Sequence, residues 1–250
     1  MNLSNSLDLK NLHRVGVPYS GKANDVWQTN DPRVLEITST DRVSAGNGVK
    51  TSIIPGKGRA NHLISTEILS RLEAAGIKTH YIAPGSDGRS KYVIKADAIK
   101  LEVIGRFFTA GSFCREYKLP KDIAFDGVYI EFTLKSDAEG DPRITDREIF
   151  RECLVRDKED ISEMRRITEK VAYVLRDFFD EVGAQLIDFK IEFGYSPAGN
   201  LIVIDEISGD TVRARDKKTG ESLDKDRFRH DLQNVSLGYE TLKARLETKD

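Results

Sequence analysis

The stretch "IDFKIEFG", residues 187–194, decides the fold. Ile187, Phe189, Ile191 and Phe193 alternate with Asp188, Lys190 and Glu192. A period of two is a strand signature: one face apolar, the other a row of charges. After the turn "SPAGN" (196–200), "LIVIDEIS" (201–208) reads as a second strand, so the two form an antiparallel hairpin. With Pro197–Asn200 as the loop, Ser196 opposes Leu201 and Glu192 opposes Asp205. A shift of one residue on each strand puts Lys190 opposite Asp205, still on the same face. Carboxylates directly opposed repel, so a positive group belongs between them. Lys190 is one candidate; a divalent cation with oxygen ligands is the other. Mg²⁺ favours one or two carboxylates together with phosphate oxygens and water, so Glu192 and Asp205 are candidate ligands of a nucleotide-bound Mg²⁺. A solvated strand face of mixed charge is the plain alternative. The continuation "DEISGDTVRARD" (205–216) favours the site, because it packs Asp205, Glu206, Asp210, Arg213 and Arg215 into a few positions.

Outward from this hairpin the chain reads as α+β. "KEDISEMRRITEKVAYVLRDFFDEVG" (158–183) is a helix, with Ile161, Met164, Ile167, Val171, Val174, Leu175 and Phe178 on one stripe and Gly183 as its stop. A helix is also expected over 61–76, ending before Gly76, and one final helix over 226–247. "YSGKANDVWQT" (19–29) is a glycine turn between extended segments, and strands follow over 33–40, 79–85 and 92–108. The layout suggests a β-rich N-terminal lobe, residues 1–99, and an α/β C-terminal lobe, residues 100–250.

Bulk composition narrows the function. The 250 residues are 32% charged and 39% hydrophobic with a net charge of -2, which excludes a general nucleic-acid binder. No apolar run has membrane-span length, and the N-terminus lacks a signal-peptide core. Cys114 and Cys153 fit no metal or disulfide framework, and the four histidines show no zinc spacing. A reducing cytosol is the expected setting.

The motifs "SGKANDVW" (20–27), "DRVSAGNG" (41–48), "PGKGRANHLIS" (55–65), "LEVIGRFFTAGS" (101–112), "LKSDAEGDP" (134–142), "IDFKIEFG" with "DEIS-DT-R", and "LDKDRFR" (223–229) follow in this order along the chain. Each is weak alone. Together they closely resemble the SAICAR synthetase family. That resemblance implies a two-lobed fold related to ATP-grasp and kinase-like enzymes, with antiparallel sheets, flanking helices and ATP between the lobes. It implies an ATP- and Mg²⁺-dependent ligase of purine biosynthesis, joining a carboxylated aminoimidazole ribonucleotide (CAIR) to L-aspartate and releasing ADP and phosphate. The expected partners are these small molecules, with no nucleic acid or membrane; relatives form homo-oligomers.

Such chemistry needs cations and oriented N–H groups around several anions. On this resemblance Gly21, Lys22 and Val26 are assigned to the nucleotide, Glu192 and Asp205 to the metal, and Lys190, Asp188 and Asp210 to catalysis. Lys190 would steady the substrate carboxylate or the moving phosphoryl group; Asp188 would orient Lys190 or bind an amino or hydroxyl group. Arg106, Gly111 and Ser112 are expected to cradle a phosphate monoester, with Arg213 reaching it from the other lobe. Ser44, Ala45, Gly46 and Asn47 form a small-residue loop that closes over the imidazole or simply connects strands. Arg227 and Arg229 read as structural, with Asp224 capping their helix. Asn24, Lys100, Phe107, Phe108, Gly209 and Arg215 depart from the family pattern, in positions expected near the acceptor. They keep open a paralogous amide ligase for another carboxylated azole nucleotide or nucleoside.

Overall fold

The computed structural model describes residues 7–46 and 48–248, so Asn47 of the expected small-residue loop lies outside the described residues. The first half holds β1 (Arg14–Ser20), β2 (Asn24–Thr29), β3 (Val34–Ser39), β6 (Tyr81–Pro84) and β7 (Ser90–Ile94), which form a five-stranded antiparallel sheet in the order β1-β2-β3-β7-β6. Between β3 and β6 the chain makes the hairpin β4 (Arg42–Ala45) and β5 (Lys50–Ile53), then helix α1 (Lys57–Ala74). α1 begins four residues before the expected start, at Lys57, and Gly76 beyond its end takes a left-handed backbone, as a helix stop does.

The second sheet contains β8 (Asp97–Phe108), β9 (Ala124–Leu134), β10 (Ala184–Tyr195), β11 (Leu201–Ile204) and β12 (Val212–Asp216). β10 is the opening stretch of the sequence. Along one edge it pairs with β8; the other edge is shared end to end by β11 and β12. The residues between these two short strands, Asp205–Thr211, therefore leave the sheet beside Lys190, whose N–H donates to the Thr211 carbonyl. Helices α2 (Gly111–Tyr117), α3 (Asp146–Arg151), α4 (Glu159–Glu181), α5 (Asp226–Arg229) and α6 (Val235–Glu247) complete the chain.

The apolar alternation of β10 is borne out: Ile187, Phe189, Ile191 and Phe193 are all buried. Phe189, Ile191 and Phe193 join the main core with the α4 stripe. Ile161, Met164, Val171, Leu175 and Phe178 of that stripe are buried, and Ile167 and Val174 pack at its margin. α1 enters the same core through Ile64, Ile68, Leu69 and Leu72. A parallel bridge between Thr79 and Val203 further ties the first half of the chain to the second sheet.

Two expectations are corrected. The hairpin register is neither of those considered: Tyr195 opposes Leu201 and Glu192 opposes Ile204, so five residues form the turn. The second strand stops at Ile204 because Asp205 adopts a left-handed backbone (φ 68°), which breaks the alternation. The expected final helix is two helices. Asp231 and Asn234, both with positive φ, break it between α5 and α6.

Candidate functional site

A cleft of about 840 Å³ opens between the β1–β2 turn, the β4–β5 hairpin and the second sheet. Of the expected site residues, Gly21, Lys22, Val26, Ser44, Arg106, Ser112, Asp188, Lys190, Glu192, Asp205, Asp210 and Arg213 all line it. The exception, Gly111, lies directly behind Arg213. A Cβ there would fall 2.7 Å from the Arg213 guanidinium, and its φ of +57° is one that L side chains rarely adopt.

The charged row on β10 is built into the sheet. Asp188 is 2% exposed and Glu192 3% exposed, which removes the solvated-face alternative. Asp188 stands directly across from Arg106 on β8 and from Arg213 on β12. It bonds Arg106, and its carboxylate oxygens accept from Arg213 Nη1 at 2.9 and 3.0 Å. Arg106 is also held by Glu131, at 2.6 Å, and Arg213 by Asp226, at 3.0 Å. Both arginines therefore come from the same sheet, flanking Asp188; Arg213 does not approach from another lobe. Burial opposes the Arg213 charge, but Asp188 and Asp226 outweigh it and raise its pKa.

Four residues along, Glu192 faces Glu102 of β8, a like-charged pair resolved by two lysines. Lys190 Nζ lies 2.7 Å from Glu192, 2.9 Å from Asp205 and 3.5 Å from Glu102. Lys135 reaches the second Glu192 oxygen at 2.5 Å. The left-handed turn at Asp205 is what returns its carboxylate to this row; Asp tolerates that conformation at a cost of about 1–2 kcal/mol. Burial works against the Lys190 ammonium, yet Asp205, Glu192 and Glu102 hold its pKa well above the usual lysine value. Burial would raise the Asp205 pKa, but Lys190 and Lys135 hold it well below the carboxylate range. Glu192 is shifted up, by burial first and then by Asp205. Lys190 thus occupies the place between the carboxylates that the sequence left open to a lysine or a metal. Among the described residues no group of three or more His, Cys, Asp or Glu side chains is arranged as a ready metal cage. The chemistry of the donors still suits Mg²⁺. Glu102, Glu192 and Asp205 bring three carboxylates against the two ammonium groups of Lys190 and Lys135, and Asp205 remains 31% exposed to the cleft. One or two carboxylate oxygens, with water and phosphate, are what Mg²⁺ takes.

At one end of the cleft the Lys22 ammonium pairs with Asp137, so the Gly-Lys turn and the "LKSDAEGDP" segment meet across the opening. At the other end Asp210 turns its carboxylate away from Lys190. It accepts from Lys57 at 2.6 Å, Asn61 at 3.0 Å and Tyr239 at 2.8 Å. Ser44, Ala45 and Gly46 line the cleft from the β4 end. Arg227 is structural as expected, donating to the Ser222 carbonyl ahead of α5 and to the Gln233 and Asn234 carbonyls in the α5–α6 bend. Arg229 instead lines the cleft while paired with Asp226 at 2.6 Å. Asp224 accepts from the Asp226 N–H at the start of α5.

Sequence reasoning missed Glu102, Lys135, Lys57 and Lys225. Glu102 had a signal: it precedes Arg106 by four residues on an alternating strand, so both share a face. Lys57 and Lys135 lay inside the motifs "PGKGRANHLIS" and "LKSDAEGDP", but nothing in the sequence tied them to Asp210 and Glu192, which they meet far along the chain.

The sequence profile described as SAICAR synthetase matches residues 17–246. The chain belongs to the SAICAR synthetase family. The phosphoribosylaminoimidazole-succinocarboxamide synthase of Methanocaldococcus jannaschii is 41% identical over 228 residues, 91% of this chain and 93% of that protein. The crystal structure of the corresponding synthase from Ehrlichia chaffeensis superposes with a TM-score of 0.88 at 32% identity, covering 94% of this chain and 98% of that one. A type-2 SAICAR synthetase in complex with ADP gives a TM-score of 0.87 at 34% identity, covering 92% and 97%. The mixed helix and antiparallel-sheet architecture of those structures is the one described above. Nothing in these relatives supports the paralogous reading. The positions that prompted it are mostly outside the cleft: of Asn24, Lys100, Phe107, Phe108, Gly209 and Arg215, only Asn24 lines it. Arg215 pairs with Asp122 at 2.6 Å, and Gly209 leaves room for the Tyr239 ring, which an added Cβ would meet at 2.7 Å.

Proposed function

We propose that this chain is an ATP-dependent ligase that joins CAIR to L-aspartate, giving SAICAR, ADP and phosphate in purine biosynthesis. The observation that carries the reading is the buried row of Arg106, Asp188, Lys190 and Glu192, closed by Asp205, within a chain matched to the family from residue 17 to residue 246. We divide the chain into lobes at 1–99 and 100–250, with the nucleotide held between them by Gly21, Lys22 and Val26. No helix among the described residues is long and apolar enough to cross a membrane, and both cysteines are free thiols, which fits work in the cytosol.

The chemistry begins from a carboxylate, which an amine does not acylate directly. An oxygen of the azole carboxylate attacks the γ-phosphorus of ATP. The bond from that phosphorus to the β-phosphate bridge breaks, and ADP leaves with the electron pair. The aspartate nitrogen then attacks the acyl carbon, the carbon–oxygen bond to phosphate breaks, and the nitrogen gives up a proton. Lys190, kept protonated by three carboxylates, is placed to hold the substrate carboxylate against the phosphoryl group. Glu192 and Asp205 would hold Mg²⁺, which neutralises phosphate charge when bound. Arg106, Ser112 and Arg213, with Gly111 as the spacer beneath Arg213, form the subsite for the ribose phosphate, and Ser44 closes over the azole. Asp188 keeps both arginines in position; Asp210 fixes the Glu206–Thr211 loop through Lys57, Asn61 and Tyr239. We extend the expectation of a homo-oligomer to this chain.

The test omits one substrate at a time. ADP release is expected only when CAIR, L-aspartate and Mg²⁺-ATP are all present, with free phosphate appearing in equal amount. ADP release without CAIR, or with another azole acid alone, would end the reading. A phosphorylated product that accumulates with no free phosphate would make the protein a kinase instead.

A further inference from the structure

Every cationic side chain lining the cleft except one is neutralised by a carboxylate. Lys22 pairs with Asp137, Lys135 and Lys190 with Glu192, Arg106 and Arg213 with Asp188, and Arg229 with Asp226. The exception is Lys225. Among the described residues its ammonium makes no hydrogen bond and no ion pair, although the side chain is half-buried and lines the cleft. Its backbone is fixed at the entry to α5, where the Lys225 N–H donates to the Gly209 carbonyl at 3.0 Å. The carboxylate that attracts it most, Asp210, is already used by Lys57, Asn61 and Tyr239. Burial disfavours its charge; Asp210 and, more weakly, Glu206 attract it while Arg229 and Lys57 repel it, and its pKa is lowered. A half-buried cation with no carboxylate paired to it is a group that an arriving anion stabilises.

The row of Arg106, Asp188 and Arg213 accounts for the ribose phosphate, and Lys22 with Lys190, Glu192 and Asp205 for the ATP phosphates. One anionic reactant is left without a partner: the amino dicarboxylate that supplies the nitrogen. We infer that Lys225 binds a carboxylate of this amine co-substrate and is the residue that selects a dicarboxylic amino acid. The inference rests on the ligase reading given above. Lys225, at the entry to α5, and Arg229, within α5, both line the cleft, and the Lys225 backbone is tied to the Glu206–Thr211 loop at Gly209.

The experiment compares wild type with Lys225→Gln and Lys225→Arg in steady-state turnover, varying each substrate in turn. For Lys225→Gln the KM for L-aspartate rises about 10-fold or more, the loss expected for one charged hydrogen bond. KM values for ATP and CAIR stay within about twofold. The wild-type preference for aspartate over its monocarboxylate analogue β-alanine shrinks by a similar factor, and Lys225→Arg recovers most of it. A purely structural role would not move that preference, and thermal unfolding of both variants checks that they fold. If the KM for CAIR rises instead, Lys225 belongs to the nucleotide subsite and the inference is wrong. If Lys225→Gln turns over normally with an unchanged preference, the inference alone fails. A wild-type enzyme with no aspartate-dependent ADP release overturns the ligase reading itself.

Discussion

At the scale of single residues, the site works by crowding charges that would repel if left alone and then bridging them with shared opposite charges. Glu192 shows this most clearly. It faces Glu102 across the ladder, it is 3% exposed, and it is bound on both oxygens by Lys135 and Lys190. The isosteric change Glu192→Gln keeps the volume and removes the charge. Turnover should fall by about 10² or more, in the range seen when one preorganised charge-stabilising group is lost, while near-UV circular dichroism stays native. Unchanged turnover would show that the metal and phosphates sit elsewhere. Such pairs were partly legible in advance. Alternation alone placed Asp188, Lys190 and Glu192 on one face, and their types pointed to phosphate and metal chemistry. The Lys190 contacts were also weighed, because Lys190 was one of two cations considered for the gap. The need for glycine at position 111 was not legible, because it depends on Arg213, a hundred residues away, lying on its backbone.

At the scale of elements, periodicity found the strands and helices but not where they end. Phase is set by backbone conformation at particular residues. The five-residue turn sets the hairpin register, Asp205 with its left-handed φ ends β11, and Asp231 and Asn234 split the last helix. Asp and Asn accept such conformations, yet nothing in their identity says which ones take them. α6 is tied back to the sheet by Arg245, which bonds Asp216 on β12 and the Val182 carbonyl at the end of α4. The Arg245 guanidinium and the N–H groups of Thr219 and Lys218 lower the Asp216 pKa to about 2. The sign follows from linkage. The folded pKa lies below the unfolded one, so the contribution is complete above about pH 4 and disappears as pH falls through about 2. Asp216→Asn should therefore lower the melting temperature at pH 7, and the deficit should shrink steadily as pH falls from about 4 toward 2. Calorimetry across that range gives the answer. An equal deficit at both ends would mean that the Asp216 side chain acts through packing rather than charge.

At the scale of the whole molecule, the cleft needs two walls that can move little or much relative to each other, and the core indicates how firmly they are joined. α1 belongs by sequence to the first part of the chain, yet Ile64, Ile68, Leu69 and Leu72 lie in one cluster with Met164, Leu175, Phe178 and Phe179 of α4. Thr79, just before β6, is bridged to Val203 on β11. The main hydrophobic core is therefore not divided at residue 99. Two lobes with separate cores would unfold in two steps; a shared core makes the steps one. Calorimetric unfolding should give a single transition with equal van't Hoff and calorimetric enthalpies. Leu69→Ala removes a fully buried side chain at the junction and should cost about 2–5 kcal/mol, moving that single transition down without splitting it. Two resolved transitions in the variant, one at the wild-type temperature, would mean that α1 stabilises only its own lobe. The cleft would then open on a hinge rather than by small shifts within one packed body.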